Sequence, residues 1–189
     1  MNVIFLDFDG VIDTNYYRTN EDMEDKIKIL ADICHEYDCK VVIEASAKRA
    51  INPETLEIDE DALWIKQIFE WFNKYEIDCI GRTPNVIKRD KDYPGSYISM
   101  WKEDEIRLYL FNHPEIDHYC VIDDDDLTAM HRKSDLDKVR DHLVVTKDYL
   151  KENAYDEGLQ PYHKEEVGKV LELDNEIKKL ALRRKIRAI

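Results

Sequence analysis

The sequence is poor in residues that interrupt or cross-link a chain. It has only five glycines and five prolines in 189 residues, and nowhere do they gather with serine into a linker. A single domain over residues 1–189 is therefore expected, with no internal repeat. No apolar run approaches the roughly 20 residues needed to cross a bilayer, so no membrane partner is expected. The opening segment turns apolar at Val3–Leu6 without a basic lead or a small-residue cleavage site, unlike a secretory signal, and a cytoplasmic location is expected. Cys34, Cys39, Cys79 and Cys120 form neither a CxxC pair nor a zinc-spaced cluster and read as reduced thiols. Positive charge is scarce: the net charge of −14 repels polyanions at long range, so nucleic acid is not the default partner. The one dense basic cluster, Lys178, Lys179, Arg183, Arg184, Lys185 and Arg187, reads as the solvated end of a helix. The first strand also lacks the GxGxxG turn of a dinucleotide-binding dehydrogenase.

What is present is a regular alternation of short apolar runs and longer amphipathic segments, the pattern of βα units around a mainly parallel sheet. Five strands are predicted at Asn2–Leu6, Lys40–Ile43, Asp78–Ile80, Tyr119–Ile122 and His142–Val145, each short enough and apolar enough to be covered on both faces. Helices are predicted between them. Glu21–Tyr37 places Ile27, Leu30, Ala31 and Cys34 on one stripe, and Asp59–Lys74 does so with Leu63, Ile68, Phe69 and Phe72. Lys102–Phe111 is the third. A long final helix is predicted from about His163 to Arg187, with Pro161 as its start signal. Gly81–Ser99, which holds Pro84, Pro94 and Gly95, reads as a long loop of a kind that is often functional.

Two strands end in carboxylates. Phe5-Leu6-Asp7-Phe8-Asp9-Gly10 puts Asp7 and Asp9 at the carboxyl end of the first strand, where ligands of a parallel α/β sheet bind. Residues two apart on an extended segment face the same way, and Gly10 lets the chain turn sharply behind them. Cys120-Val121-Ile122-Asp123-Asp124-Asp125-Asp126 repeats the design. Crowded carboxylates of this kind call for a hard divalent cation, and magnesium takes one or two of them together with water and substrate phosphate.

In this order the two motifs resemble the haloacid dehalogenase (HAD) superfamily, whose first motif is an apolar strand followed by DxDG and whose fourth is an apolar strand followed by an acid pair. The resemblance implies a Rossmann-like, three-layer fold. It also implies that Asp7 is a nucleophile forming an aspartyl-phosphate, that Asp9 is the general acid and base, and that Gly10 lies against the substrate. Asp7, Asp9, Asp123 and Asp124 are the implied magnesium ligands. Lys102, at the start of the helix before the acidic strand, takes the place of the third-motif cation, with Lys88 and Arg89 as rivals. FLDFDGVI, IGRTP, DEIRLYLFNHPEIDHYCVIDDDD and HLVVT followed by Gly158-Leu159 extend the likeness over most of residues 1–170, toward the compact HAD domains of Swiss-army-knife RNA repair proteins.

The second motif departs from the pattern. The superfamily ends its second strand on a phosphate-binding Ser or Thr, whereas here Val41-Val42-Ile43 runs into Glu44-Ala45-Ser46. If the strand ends at Ile43, Glu44 occupies the hydroxyl position and opposes phosphate; if it runs on, Ser46 becomes the substrate ligand. The stretch between Asp9 and Ser46 holds little more than one helix, so the cap is minimal or absent and the cleft open. The expected activity is magnesium-dependent hydrolysis of a phosphomonoester, on a nucleotide or a polynucleotide end. The alternative is a weakly active pseudo-phosphatase that serves as an interaction module, with Glu44 as the feature in its favour.

Overall fold

The computed structural model of the chain describes residues 1–14, 20–89, 97–99, 102–125, 139–147 and 158–172. The elements in order are β1 (Asn2–Leu6), α1 (Asn20–Tyr37), β2 (Cys39–Ile43), a 3-10 turn (Ser46–Ala50), α2 (Leu63–Lys74), β3 (Cys79–Arg82), β4 (Ile87–Arg89), β5 (Tyr97–Ser99), α3 (Lys102–Asn112), β6 (His118–Asp123), a second 3-10 turn (Val139–His142) and β7 (Leu143–Val145). A further helix, α4, starts at 163 and continues to 172, where the described residues end.

Five strands form one all-parallel sheet in the order β3-β2-β1-β6-β7. Such a sheet needs cover on both faces, which explains why β1 is apolar without alternation. Its side chains still divide by parity. Ile4 and Leu6, with Val41, Ile43, Cys120 and Ile122, join the core shared with Ile27 and Leu30 of α1, Ile68 and Phe72 of α2, and Val167 and Leu171 of α4. Val3 and Phe5, with Val42 and Val121, pack on the other face against Ile106 and Tyr109 of α3. The result is a Rossmann-like three-layer α/β fold. The chain leaves β1 toward β2 and β3 on one side and returns to β6 on the other, which puts the topological switch point beside β1.

Two expectations change. Gly81–Ser99 is not one loop: Gly81 and Arg82 complete β3, and β4 pairs antiparallel with β5. Each partner is a triplet, Ile-Lys-Arg and Tyr-Ile-Ser, too short to register in a search for longer apolar runs. α2 starts at Leu63 rather than Asp59, and Leu63 is 72% exposed. The buried stripe is Ile65, Ile68, Trp71 and Phe72, one face of a helix whose first residue lies outside the core. The predicted continuation of the last helix to Arg187, with Leu173, Ile177, Leu180, Leu182 and the basic cluster, lies outside the described residues. No described helix is long and apolar enough to cross a membrane.

Candidate active site

The sheet ends on a polar row. Its hydrogen-bond ladder runs one residue past the strands: the N–H of Asp7 donates to Ile122 O (3.0 Å), that of Glu44 to Leu6 O (2.8 Å), that of Thr83 to Ile43 O (3.0 Å) and that of Thr146 to Asp123 O (2.9 Å). Thr83, Glu44, Asp7 and Asp123 therefore stand side by side on strands about 4.8 Å apart, and all four are at most 4% exposed. They belong to the parity that faces α3, so α3 must supply the counter-charge.

It does so at Asp7 and Asp123. The Lys102 ammonium, at the first residue of α3, donates to Asp7 Oδ2 and to Asp123 Oδ2, the latter at 2.8 Å. Asp7 Oδ1 accepts the Phe8 N–H at 2.8 Å. Burial, followed by the charge of Asp123, pushes the Asp7 carboxyl up to about 7 even though Lys102 pulls the other way. Burial opposes the Lys102 ammonium, but Asp7 and Asp123 outweigh it and raise its pKa. Asp124 is raised by burial and by Asp123.

Carboxylate oxygens of Asp7, Asp123 and Asp124 lie within 4.8 Å of one another. Three carboxylates gather here against the ammonium of Lys102 and, at Asp124, the charge of Lys147, which leaves the cluster short of positive charge. An all-oxygen donor set fits a hard divalent cation.

The turn after β1 is built for this crowding. Gly10 N–H donates to Asp13 O (2.7 Å), and the N–H groups of Val11, Ile12 and Asp13 converge on Phe8 O (3.2, 2.9 and 2.9 Å). Gly10 has φ +73°, and a Cβ there would sit 2.4 Å from Asp124 Cγ. Glycine is thus required twice, for the left-handed backbone and for the approach of Asp124. Gly10 O in turn accepts the Thr146 hydroxyl at 2.9 Å. Asp9 is exposed at the mouth, where the Ser46 hydroxyl donates to its Oδ2 at 3.1 Å.

Glu44 lies one strand away. β2 ends at Ile43, yet the Glu44 side chain is 1% exposed and does not present a charge to the cleft. Its Oε2 accepts from the Lys48 ammonium at 2.9 Å and from the Thr83 hydroxyl. Lys48 also donates to Thr83 Oγ1 at 2.6 Å and to Glu105 Oε2 at 2.5 Å. Burial pushes the Glu44 carboxyl up to about 8, against the attraction of Lys48. Its Oε1 has no hydrogen-bond partner among the described residues, a position that an uncharged carboxyl tolerates better than a carboxylate.

Among the sequence candidates, Asp7, Asp123, Asp124 and Lys102 converge, Gly10 shapes their pocket, and Asp9 and Ser46 pair at its rim. Lys88 and Arg89 lie in β4, in register with Ile98 and Tyr97. The sequence offers Lys48 or Arg49 as a partner for Glu44, and Lys48 is the one that pairs with it; it assigns no role to Thr83, Thr146 or Glu105. The two threonines could have been noticed because each directly follows a strand, in IGRT and LVVT. No local pattern distinguishes Glu105 from the other acids at the start of α3.

No curated protein and no solved structure matches the chain significantly. Residues 3–153 match the family described as the HAD domain in Swiss Army Knife RNA repair proteins, and over that span, which includes the whole carboxylate row, the chain belongs to this family.

Proposed function

We propose that the protein is a magnesium-dependent phosphomonoester hydrolase that works through an aspartyl-phosphate on Asp7, and that its substrate is a nucleotide or the phosphorylated end of a nucleic acid. The observation that carries the reading is the convergence of Asp7, Lys102, Asp123 and Asp124 at the switch point of the sheet, with Asp9 at the mouth. Asp7, the Asp9 carbonyl, Asp123 and Asp124 would hold the magnesium ion, which when bound screens the charge of Asp7 from that of the phosphate. The Gly10–Asp13 and Phe8–Asp13 hydrogen bonds straddle Asp9 without using its carbonyl.

Asp7 attacks phosphorus through a carboxylate oxygen, and the bond to the leaving-group oxygen breaks as Asp9 delivers a proton to that oxygen. Water then attacks the phosphorus of the acyl phosphate while Asp9 takes its proton, releasing inorganic phosphate and restoring Asp7. Lys102 neutralises charge that builds on the transferring group. The Ser46 hydroxyl orients Asp9, which is exposed and otherwise free to rotate.

Glu44 supports a weakly active variant of the same reading, since no hydroxyl stands at the end of β2. Its burial and its pairing with Lys48 reduce the repulsion that a carboxylate there would exert. The test is phosphate release, with and without magnesium, from nucleotides, 3′- and 5′-phosphorylated oligonucleotides and an aryl phosphate. Magnesium-dependent release from at least one of these is expected. No release from any of them would overturn the enzymatic reading and favour an interaction module.

A further inference from the structure

The polar row carries two ionic clusters on adjacent strands, and α3 spans both. Lys102 reaches Asp7 and Asp123 on β1 and β6. Glu105, three residues later and on the same side of the helix, reaches Lys48 beside β2 and β3. We propose that Lys48 is a positioning residue for Lys102: through Glu105 it fixes the first turn of α3, and with it the place where the Lys102 ammonium meets Asp7 and Asp123. The kinetic consequence rests on the phosphatase reading; the structural one does not.

Lys48 is 4% exposed, and its three donors meet three acceptors: Glu44 Oε2, Thr83 Oγ1 and Glu105 Oε2. It is therefore saturated and is no ligand for an incoming phosphate. Each acceptor sits on a different part of the cleft wall: the end of β2, the residue after β3, and α3. Glu105 completes the link, because its other oxygen accepts the Val86 N–H at 2.9 Å, which ties α3 to the segment leading into β4.

Elsewhere α3 is held to the sheet by apolar contacts of Ile106 and Tyr109. Such contacts are non-directional and tolerate small sliding, whereas the Lys48–Glu105 bond fixes one point of the first turn. A lysine has four rotatable bonds, so an ammonium that must sit on two carboxylates gains most from a fixed Cα. A buried ion pair is seldom the most stable choice for its volume, and directing position is the role it serves better than an apolar pair.

The test uses the full chain with Lys48→Met, Glu105→Gln, Lys102→Ala and the double variant Lys48→Met/Lys102→Ala. Misplacing a catalytic group by about 1 Å costs up to about a hundredfold. Lys48→Met is therefore expected to lower kcat for the aryl phosphate at least about tenfold, with KM changed less than about twofold. Glu105→Gln, which keeps shape and fold, should act in the same direction with a smaller loss. The double variant should be no slower than Lys102→Ala alone, because residues acting through one another are not additive. Amide exchange at Val86 and Ile106 should speed up in both network variants, while the amides of Val41 and Val121 in the sheet stay protected. Unchanged kcat per folded molecule, multiplicative losses in the double variant, or exchange rising equally at all four amides would overturn the proposal. If the wild-type chain releases no phosphate, the phosphatase reading fails by itself, and the exchange pattern decides the positioning role.

Discussion

The two ionic clusters along the carboxyl row differ in burial, Lys48 being closed off and Lys102 26% exposed, and in their accounts of charge. Around Lys48, two carboxyls face one ammonium, and protonation of Glu44, with its pKa pushed up to about 8, brings the group to neutrality. Every donor of Lys48 is used. Around Lys102, three carboxyls gather against that ammonium and, at half-buried Asp124, the charge of Lys147, and Asp7 is pushed up to about 7. One cluster is complete as it stands. The other is left short of positive charge at the position proposed for the cation and the phosphate. A shared row and a shared helix thus give a closed structural joint and an open reactive site, separated by one strand spacing.

Substitutions can break that contrast. The largest effect is expected for Asp7→Asn, which keeps shape but removes the proposed nucleophile: phosphate release should fall at least about a thousandfold, with the melting temperature of the metal-free protein unchanged or raised, since a buried carboxylate in a repulsive cluster is lost. Gly10→Ala comes next. Its Cβ would meet the Asp124 carboxylate in a left-handed backbone, costing about 1–2 kcal/mol of stability, and titration should show magnesium affinity weakened about tenfold. Ser46→Ala removes the hydroxyl that holds Asp9 and should lower kcat about three- to tenfold, the net range of an ordinary hydrogen bond, because the pair is exposed to water.

The smallest effect concerns the closed cluster and appears only in stability. Burial pushes the folded Glu44 carboxyl up to about 8, whereas in the unfolded chain it returns to the ordinary carboxyl range near 4.5. The folded state therefore binds more protons between these limits, and stability falls as pH rises through that window. Glu44→Gln has no such proton to lose, so its melting temperature should decline less from pH 5.5 to 8.5 than that of the wild type. Parallel curves would show that Glu44 is ionised throughout, and the two clusters would then be alike in charge.

The open cluster was more legible in the sequence than the closed one. Asp7, Asp9, Asp123 and Asp124 follow apolar strands, and a strand that ends in acids announces its own edge; β1 was read with its observed bounds, Asn2–Leu6. Lys102 was legible because it opens a helix. The closed cluster was not, because its members come from three separate segments and only Glu44 and Lys48, four apart, are near in sequence. Glu105 looks like any acid in the first turn of a helix, and only the packing of α3 on the sheet turns it inward. The same limit explains α2: periodicity located the helix, but whether Leu63 or Ile65 faced the core depended on where the first turn began. The hairpin of β4 and β5 escaped because strands of three residues carry too little periodicity to register.

The central claim is that the open cluster makes Asp7 a nucleophile, and its most direct test is to trap the covalent intermediate. The protein with magnesium is mixed with an aryl phosphate, quenched in acid within one turnover, digested and analysed by mass spectrometry. A phosphoryl group is expected on the peptide containing Asp7, with none in Asp7→Asn. Phosphate release without any phosphorylated peptide, or a phosphoryl group on a residue other than Asp7, would contradict the account.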